Sequence, residues 1–513
     1  MNQSFHFVLP GIARQLHVFL FLASALLFSI NVRSADLLAG VGKVDITREG
    51  APAEGPNRLW AKALALTQGG TDVIIVSLDV VAIDGIGSVR HPYLQNVRSQ
   101  IEKTLGVDPK SVVINASHCH GIVSPDIEKL TVQAITTAWK NRVPVSSGTS
   151  SGFENRIQEN RRLILKDGTV KDVRHAYALP PNSQIGAVGP IDPEIGIVRL
   201  DRIDNGNTLA LIYQFAVHPI KGIPSGGNTA DLIGFASDVI ESNLGDGTAT
   251  AFFLQGCGGD INPADYKNVN RPRDAEPSGN RLGLSVLKTA SQVATTPDPV
   301  LDIKNEILEV PRAKLESRIG EMNQEIETLT KSLKGTTLDF ETFLPLYIKY
   351  YVNSDFPSEK AQRYLQDELI NQSDWKNLDQ NNRAALDAYL KNIQTMEELT
   401  RKQINLALLK KHQAANKKAG DTANAEVVAL RIGDFRLVTF PAELTVEIGL
   451  KIKEQIQAEN TYVSGYTNGY LFYAPTAEQL KNRGGAQEDS DCVLAPEWEA
   501  MFIEKSVELL RSL

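Results

Sequence analysis

The amino-acid sequence predicts an α/β protein in which layered mixed β-sheets are flanked by helices, with an α-helical insertion near residues 311–418. Short apolar runs rich in β-branched residues, separated by turn signals, predict the strands, and stretches of helical periodicity between them predict the covering helices. The insertion is predicted by a change of composition, because glutamate, lysine, glutamine, asparagine and leucine dominate 311–418 and glycines are few. Its charged residues are most simply solvated helix faces.

The predicted elements of the main body begin with a β-β-α-β order, which favours a mixed sheet covered by helices. A glycine pair at 69–70 predicts a hairpin between the second and third strands. Strands are predicted at 39–47, 62–66, 72–81, 190–200, 208–217 and 249–254 and in the stretch that begins at Val112. A hairpin that turns at 431–434 is predicted within 425–440, and helices are predicted at 95–105, 231–243, 441–457 and 497–513.

Composition excludes several classes of function. The 513 residues are 42% hydrophobic and 22% charged, with a net charge of −8 and no basic tract, so nucleic acid is not an expected partner. Only three cysteines occur, which excludes a disulfide scaffold and a thiolate-rich zinc site and allows one disulfide bond at most. A metal site in this chain therefore needs histidine, carboxylate or other oxygen ligands.

The first 34 residues have the pattern of a secretory signal. Arg14 and His17 precede an apolar run at 18–30, which is short for a membrane span and is followed by small and polar residues up to Ala35. We expect residues 1–34 to be a signal peptide and residues 35–513 to be the mature domain, and we expect the protein to be secreted or periplasmic. An uncleaved anchor is the alternative.

The most informative stretch is the strand from Val112 that runs into Ser117-His118-Cys119-His120-Gly121. On an extended chain His118 and His120 share a face, and Cys119 points to the opposite side. Such a pair at a strand end is a common way to present nitrogen ligands to zinc. The alternative is that the two histidines only form hydrogen bonds in a turn.

Two further predicted strands also end next to residues that could belong to a site. The strand at 208–217 stops at His218, and the strand at 249–254 runs into a loop with three glycines that ends near Asn262. Two strands that end on histidine imply a shared rim where loops gather. Arg161 and Arg162 form an adjacent pair that belongs either to a solvated strand edge or to a site that binds polar groups.

Seven short motifs resemble, in the same order, those of the neutral/alkaline, non-lysosomal ceramidases. They lie at 40–47, 117–121, 215–219, 253–256, 259–263, 441–443 and 468–473. The resemblance covers the chain from about residue 39 to its end and corresponds to the N-terminal, catalytic domain of that family.

The resemblance implies a zinc-dependent amidohydrolase that cleaves an N-acyl lipid such as ceramide with metal-activated water. It implies four zinc ligands, which are His118, His218, Glu443 and Tyr473. His120 is then a proton carrier close to the substrate, and Arg161 resembles the arginine that holds polar substrate groups. From the residues alone, Glu443 is equally explained as a favourable charge at a helix N-terminus.

One position departs from the family in a way that affects chemistry. Asn262 stands where ceramidases carry a serine implicated in catalysis. An amide cannot act as a nucleophile, but its N–H can donate a hydrogen bond to an oxyanion.

Three functions stay open at this level. The leading one is the zinc amidohydrolase, whose substrate is a lipid or another small amide and for which a transient contact with a membrane surface stays open. The second keeps zinc but cleaves an ester, phosphoester or glycan, because a zinc-activated water is not specific for amides. The third is a non-catalytic binding protein derived from the ceramidase fold.

Overall fold

The structure is a computed structural model that describes residues 1, 36–50, 58–172, 180–222, 228–266, 273–297, 299–353, 362–482 and 485–513. Apart from Met1, the predicted signal peptide lies outside the described residues. Within the described residues, no helix is both long enough and apolar enough to cross a membrane.

The secondary structure alternates strands and helices along the chain. The strands are β1 (Leu38–Asp45), β2 (Trp60–Gln68), β3 (Thr71–Leu78), β4 (Val112–Ala116), β5 (Val143–Phe153), β6 (Gln158–Asn160), β7 (Arg162–Leu165), β8 (Val170–Asp172), β9 (Ile185–Val188), β10 (Glu194–Arg202), β11 (Thr208–Phe215), β12 (Thr250–Gln255), β13 (Ile261–Pro263), β14 (Leu301–Pro311), β15 (Thr422–Ile432), β16 (Phe435–Thr439), β17 (Glu443–Leu444), β18 (Thr461–Ser464) and β19 (Tyr473–Ala474). The α-helices are Tyr93–Leu105, Ile127–Lys140, Asp231–Asn243, Glu276–Ala290, Glu316–Ser332, Phe340–Val352, Gln362–Leu369, Asp374–Ala419, Val446–Ile456 and Trp498–Arg511.

The strands form layered mixed sheets, as the sequence predicts. The largest sheet has the order β12-β11-β10-β5-β1-β2-β3-β4, and a second sheet has the order β14-β15-β16-β18. Apolar side chains of both sheets form a common core between them. Helices cover the outer faces of both sheets. Strands such as β3, β11 and β12 are therefore buried on both faces, which explains their continuous apolar runs.

The large sheet curls so that its two edges meet. β1 pairs with β5 only at Leu38–Pro144 and Ala39–Val143, which leaves the two halves of the sheet free to fold toward each other. At the meeting point, Asn115 of β4 accepts a hydrogen bond of 2.8 Å from the main-chain N–H at the end of β12. The ends of β4 and β11, which precede His118 and His218, thereby come together.

The helical insertion is confirmed. Residues 316–419 of the described chain form four helices, of which Asp374–Ala419 is 46 residues long. His412, on this long helix, is fully buried and lies 2.6 Å from a carboxylate oxygen of Asp491. The insertion is thus joined to the main body close to β19.

Two local predictions are wrong. β4 ends at Ala116, and His118 has a φ of 66°, so the two histidines do not lie on one extended strand. The helix expected from residue 441 begins at Val446, and Glu443 lies in the short strand β17. The explanation of Glu443 as a charge at a helix N-terminus therefore does not apply.

All three cysteines are free and buried. Cys119 packs in the core, as predicted, although it lies beyond the end of β4 and strand alternation does not place it there. Cys257 and Cys492 are not joined by a disulfide bond.

Candidate metal centre

Two histidine side chains and one glutamate side chain meet in the interior of the protein. Glu443 Oε2 lies 3.1 Å from His218 Nε2 and 3.3 Å from His118 Nε2. The three side chains are only 2–3% exposed. Their ligand atoms lie within 4.8 Å of one another, so the three side chains can hold a metal ion.

His118 is fixed by the loop that follows β3. Its main-chain N–H donates a hydrogen bond of 3.0 Å to Val80, and its ring Nδ1 lies 2.6 Å from the carbonyl oxygen of Val81. Because a carbonyl oxygen only accepts hydrogen bonds, Nδ1 carries the hydrogen. The other nitrogen, Nε2, is then the one that can bind a metal ion.

His218 is held in the same way. Its main-chain N–H donates a hydrogen bond of 2.9 Å to Ile261, and its Nδ1 lies 2.5 Å from the carbonyl oxygen of Gly258. The rings of His118 and His218 stand nearly perpendicular, with centroids 4.8 Å apart. Both imidazoles therefore turn Nε2 toward Glu443.

Glu443 is positioned by pairing between two short strands. β17 pairs in parallel with β19, and this pairing places Glu443 opposite Tyr473. Gly259 allows the close approach of β17, because a Cβ at that position would lie 2.6 Å from the carbonyl oxygen of Glu443. The hydroxyl of Tyr466 donates to Oε2 of Glu443 at 3.2 Å, and the hydroxyl of Tyr470 donates to Oε1.

Tyr466 and Tyr470 are not predicted from the sequence as site residues. The available signal was that each tyrosine directly follows a glycine, Gly465 or Gly469, in the segment that ends at Tyr473. Burial and the charge of Glu443 raise the pKa of Tyr466 and of Tyr470 well above the ordinary value. Both hydroxyls therefore stay protonated and keep donating to the carboxylate.

The protonation states suit a cation. Burial lowers the pKa of His218 to about 3, and the nearby charge of Arg161 acts in the same direction. Burial alone would raise the pKa of Glu443, but the adjacent histidines, His118 first, hold it well below the ordinary value. At neutral pH an ionised carboxylate thus faces a neutral His218, which is the pairing that metal binding requires.

His120 lies beside the group and is only partly buried. Its ring centroid is 5.5 Å from that of His118, at nearly a right angle. The two imidazoles lie close together, as predicted. Their proximity results from a left-handed turn at His118 and not from a shared strand face. An imidazole between the buried group and the surface is well placed to move a proton.

Arg161 is buried under the centre. Its Nε donates to Glu488 at 2.5 Å, its Nη2 donates to the carbonyl oxygen of Gly259, and its guanidinium carbon lies 5.5 Å from the ring centroid of Tyr473. These contacts make it a positioning residue. Direct binding of substrate by Arg161 and coordination of the metal by Tyr473 stay predictions.

Asn262 faces the same region and is completely buried. Its Oδ1 lies 3.4 Å from Nη1 of Arg161. Its Nδ2 is buried and meets no hydrogen-bond acceptor among the described residues. A buried amide N–H without an acceptor is costly, so a ligand oxygen is its natural partner.

Arg162 is also buried, at 3% exposure, so the expectation of a solvated edge is wrong for this arginine pair. Its guanidinium lies 2.7 Å from a carboxylate oxygen of Asp489 and 3.5 Å from one of Asp260. Asp260 in turn accepts a hydrogen bond of 2.8 Å from the main-chain N–H of Val446, the first residue of the helix after β17. This network of ion pairs and hydrogen bonds holds the segments that carry Arg162, Asp260 and Val446 together beside the site.

The donor set fits zinc in type and state. Two imidazole nitrogens with their other nitrogens bound to carbonyl oxygens, and one ionised carboxylate, are ordinary zinc ligands. Other divalent ions that accept nitrogen and oxygen ligands fit the same three side chains.

No protein-family model matches the chain, and no curated protein matches it. Two solved structures match over 93% of this chain and 75% of their own, each with a TM-score of 0.59. One is the neutral ceramidase from Pseudomonas aeruginosa at 18% sequence identity, and the other is a ceramidase complexed with C2 at 16% identity. The match confirms the resemblance in the motifs at the level of structure: this chain has the fold of the neutral ceramidases.

Proposed function

We propose that this protein is an exported, zinc-dependent hydrolase of ceramidase type that cleaves the amide bond of an N-acyl lipid. The observation that carries the proposal is the convergence of His118, His218 and Glu443 within 4.8 Å inside a ceramidase fold. Tyr473, opposite Glu443 in the paired strands, is the proposed fourth ligand.

Zinc at this position would act as a Lewis acid and lower the pKa of a water molecule from that of bulk water toward roughly 7. The protein supplies the remaining groups. His120, partly exposed beside His118, carries the proton to the leaving amine. Asn262 donates its free Nδ2–H to the carbonyl oxygen as negative charge develops there.

The proposed role of Asn262 predicts a defect in rate. Asn262→Ala is expected to lower kcat by roughly 100-fold, because one oxyanion donor is lost, with little change in KM. Asn262→Asp should be at least as slow, because a carboxylate of similar size replaces the hydrogen-bond donor and repels the negative charge that develops on the carbonyl oxygen. Steady-state kinetics measures both effects, and the zinc content of both variants should equal that of the wild type.

Full kcat in Asn262→Ala, with normal zinc content and melting temperature, would remove Asn262 from the mechanism. It would leave the metal centre itself untouched, since Asn262 is not a proposed ligand.

A substrate panel tests the reaction class. N-acyl, O-acyl and phosphoester compounds that share one acyl chain should separate the amidohydrolase from the second candidate, a zinc-dependent ester, phosphoester or glycan hydrolase. We expect the highest kcat/KM for the N-acyl compound. Tight binding without turnover of any of them, in zinc-replete buffer, would favour the non-catalytic binding protein.

Export is part of the proposal because of the predicted signal at 1–34. N-terminal sequencing of the protein purified from its native host tests it. A start near Ala35 supports cleavage, and a start at Met1 contradicts it.

An exposed apolar face on the helix Phe340–Val352 supports contact with a lipid surface. Phe340, Leu344, Ile348 and Tyr351 follow one another at helical spacing and are 41–79% exposed. An adjacent face of this helix is already occupied, since Phe343 stacks on Tyr389 of the long helix at 4.4 Å. Apolar residues that extend beyond the packed face are typical of a helix with a further apolar partner. A bilayer is the partner expected of an enzyme with lipid substrates.

Vesicle sedimentation tests this contact. Ile348→Glu is expected to reduce binding to phosphatidylcholine vesicles several-fold, because a charge on the buried side of an interfacial helix costs about 2 kcal/mol or more. Ile307→Glu is the matched control, since Ile307 is 59% exposed on β14 and lies outside the insertion. Equal binding of both variants, or no binding of the wild type, would contradict the proposal.

A further inference from the structure

A polar cavity of about 370 Å³ opens where several segments leave the candidate metal centre. Four of its lining side chains are cationic, and two are carboxylates. The cations are Arg156, Lys221, Arg273 and Arg281, and the carboxylates are Asp265 and Asp274. The chain as a whole has a net charge of −8, so this excess of positive charge is a local feature.

The cations are only partly neutralised by their surroundings. Arg156 pairs with Glu154, but the ammonium of Lys221 donates to the main-chain oxygen of Ala264 at 2.5 Å. Within the described residues, no carboxylate lies at ion-pair distance from Lys221, Arg273 or Arg281. Arg273 lies over the ring of Tyr266, 5.5 Å from its centroid, which holds the guanidinium at the cavity without using its charge.

The cavity is adjacent to the metal centre along the chain. Lys221 follows His218 by three residues, and Ala264 follows Asn262 by two. These segments are hydrogen-bonded where they leave the centre, because the main-chain N–H of His218 donates to Ile261 at 2.9 Å. Three residues of extended chain span at most about 10 Å, so the Cα atoms of Lys221 and His218 lie within that distance of each other.

We infer that this cavity binds an anionic group, a carboxylate, sulfonate or phosphate, on the amine half of the substrate. The inference rests on the proposed function and deepens it, because it names the kind of head group. Guanidinium groups bind such anions in a bidentate manner, and two that lack carboxylate partners are available here. Since the chain between His218 and Lys221 spans at most about 10 Å, an amide at the metal centre and an anion beside Lys221 are compatible with one small head group.

Two substrates that differ in one group test the inference. Both carry the same acyl chain, and the amine half ends in a sulfonate in one and in a hydroxyl in the other. The wild type should prefer the sulfonate. Arg273→Gln/Arg281→Gln should lower kcat/KM for the sulfonate roughly tenfold or more, since both charged hydrogen-bond donors to the anion are lost. The hydroxyl compound should be cleaved at an unchanged rate.

Arg511→Gln is the control, because Arg511 is an exposed arginine on the last helix and its loss changes the net charge without touching the cavity. Equal treatment of the two substrates by the wild type, or an equal loss for both in the double variant, would overturn the inference and leave the proposed function intact.

Calorimetry with inorganic phosphate gives a readout that does not depend on catalysis. The wild type should bind phosphate, and the double variant should bind it at least tenfold more weakly. Phosphate binding that is absent in the wild type, or unchanged in the double variant, counts against the cavity as an anion site. Phosphate binding without hydrolysis of any amide would instead count against the proposed function alone.

Discussion

Replacing His218 with alanine is expected to abolish both stoichiometric zinc binding and amide hydrolysis. The imidazole presents Nε2 to Glu443 at 3.1 Å because its Nδ1 is held by the carbonyl oxygen of Gly258. Alanine removes one of two nitrogen ligands, and no other described histidine is in contact with the carboxylate to replace it. His118→Ala should behave in the same way.

His91→Ala is the matched control. His91 is 73% exposed and lies 3.6 Å from Asp84, outside the metal group. Zinc content by elemental analysis and turnover of an N-acyl substrate should both stay at the wild-type level. Full activity in a His218→Ala protein that contains no zinc would end the metal-dependent account.

Glu443→Gln is expected to have the second-largest effect. The amide has the same shape but no charge, so the centre loses its only ionised ligand and the acceptor of two tyrosine hydroxyls. Zinc affinity should fall by roughly 100-fold or more, and turnover should fall at least as far. Since an amide offers one acceptor oxygen where the carboxylate offers two, the free energy of unfolding should also decrease, by about 1–3 kcal/mol.

Equilibrium zinc titration, kinetics and denaturant unfolding measure these three effects. Glu478→Gln is the control, because Glu478 is 77% exposed and pairs only with a surface lysine. Wild-type zinc affinity in Glu443→Gln would show that the carboxylate is not a ligand.

The layered fold could be predicted from the sequence because a strand that is buried on both faces is a continuous run of apolar residues. The central residues of β3 (73–76) and of β12 (251–254) are all apolar, and the hairpin between β2 and β3 carries its glycine turn. The insertion could be predicted from the change in composition over 311–418. Neither signal depends on contacts between residues that are distant in the sequence.

The candidate site was only partly accessible. His118 and His218 could be selected because each follows an apolar strand. The left-handed turn at His118 could not be foreseen, since strand periodicity does not mark the residue where a strand ends. Glu443 was found by resemblance, because a two-residue strand has no periodicity, and its environment depends on pairing with Tyr473, thirty residues later.

The buried arginines show the same limit more clearly. Arg161 and Arg162 are charged neighbours in a β-rich segment, a pattern typical of exposed strands. They are buried because Glu488 and Asp489, 327 residues later in each case, supply matching charges. Only the folded chain brings these four side chains together.

Anomalous diffraction at the zinc edge, from crystals of the mature protein grown with zinc, tests the central claim most directly. The account predicts one strong peak per chain, within about 2.0–2.2 Å of Nε2 of His118 and His218 and of a carboxylate oxygen of Glu443. Zinc bound elsewhere, or crystals in which these three side chains surround no metal ion, would contradict it.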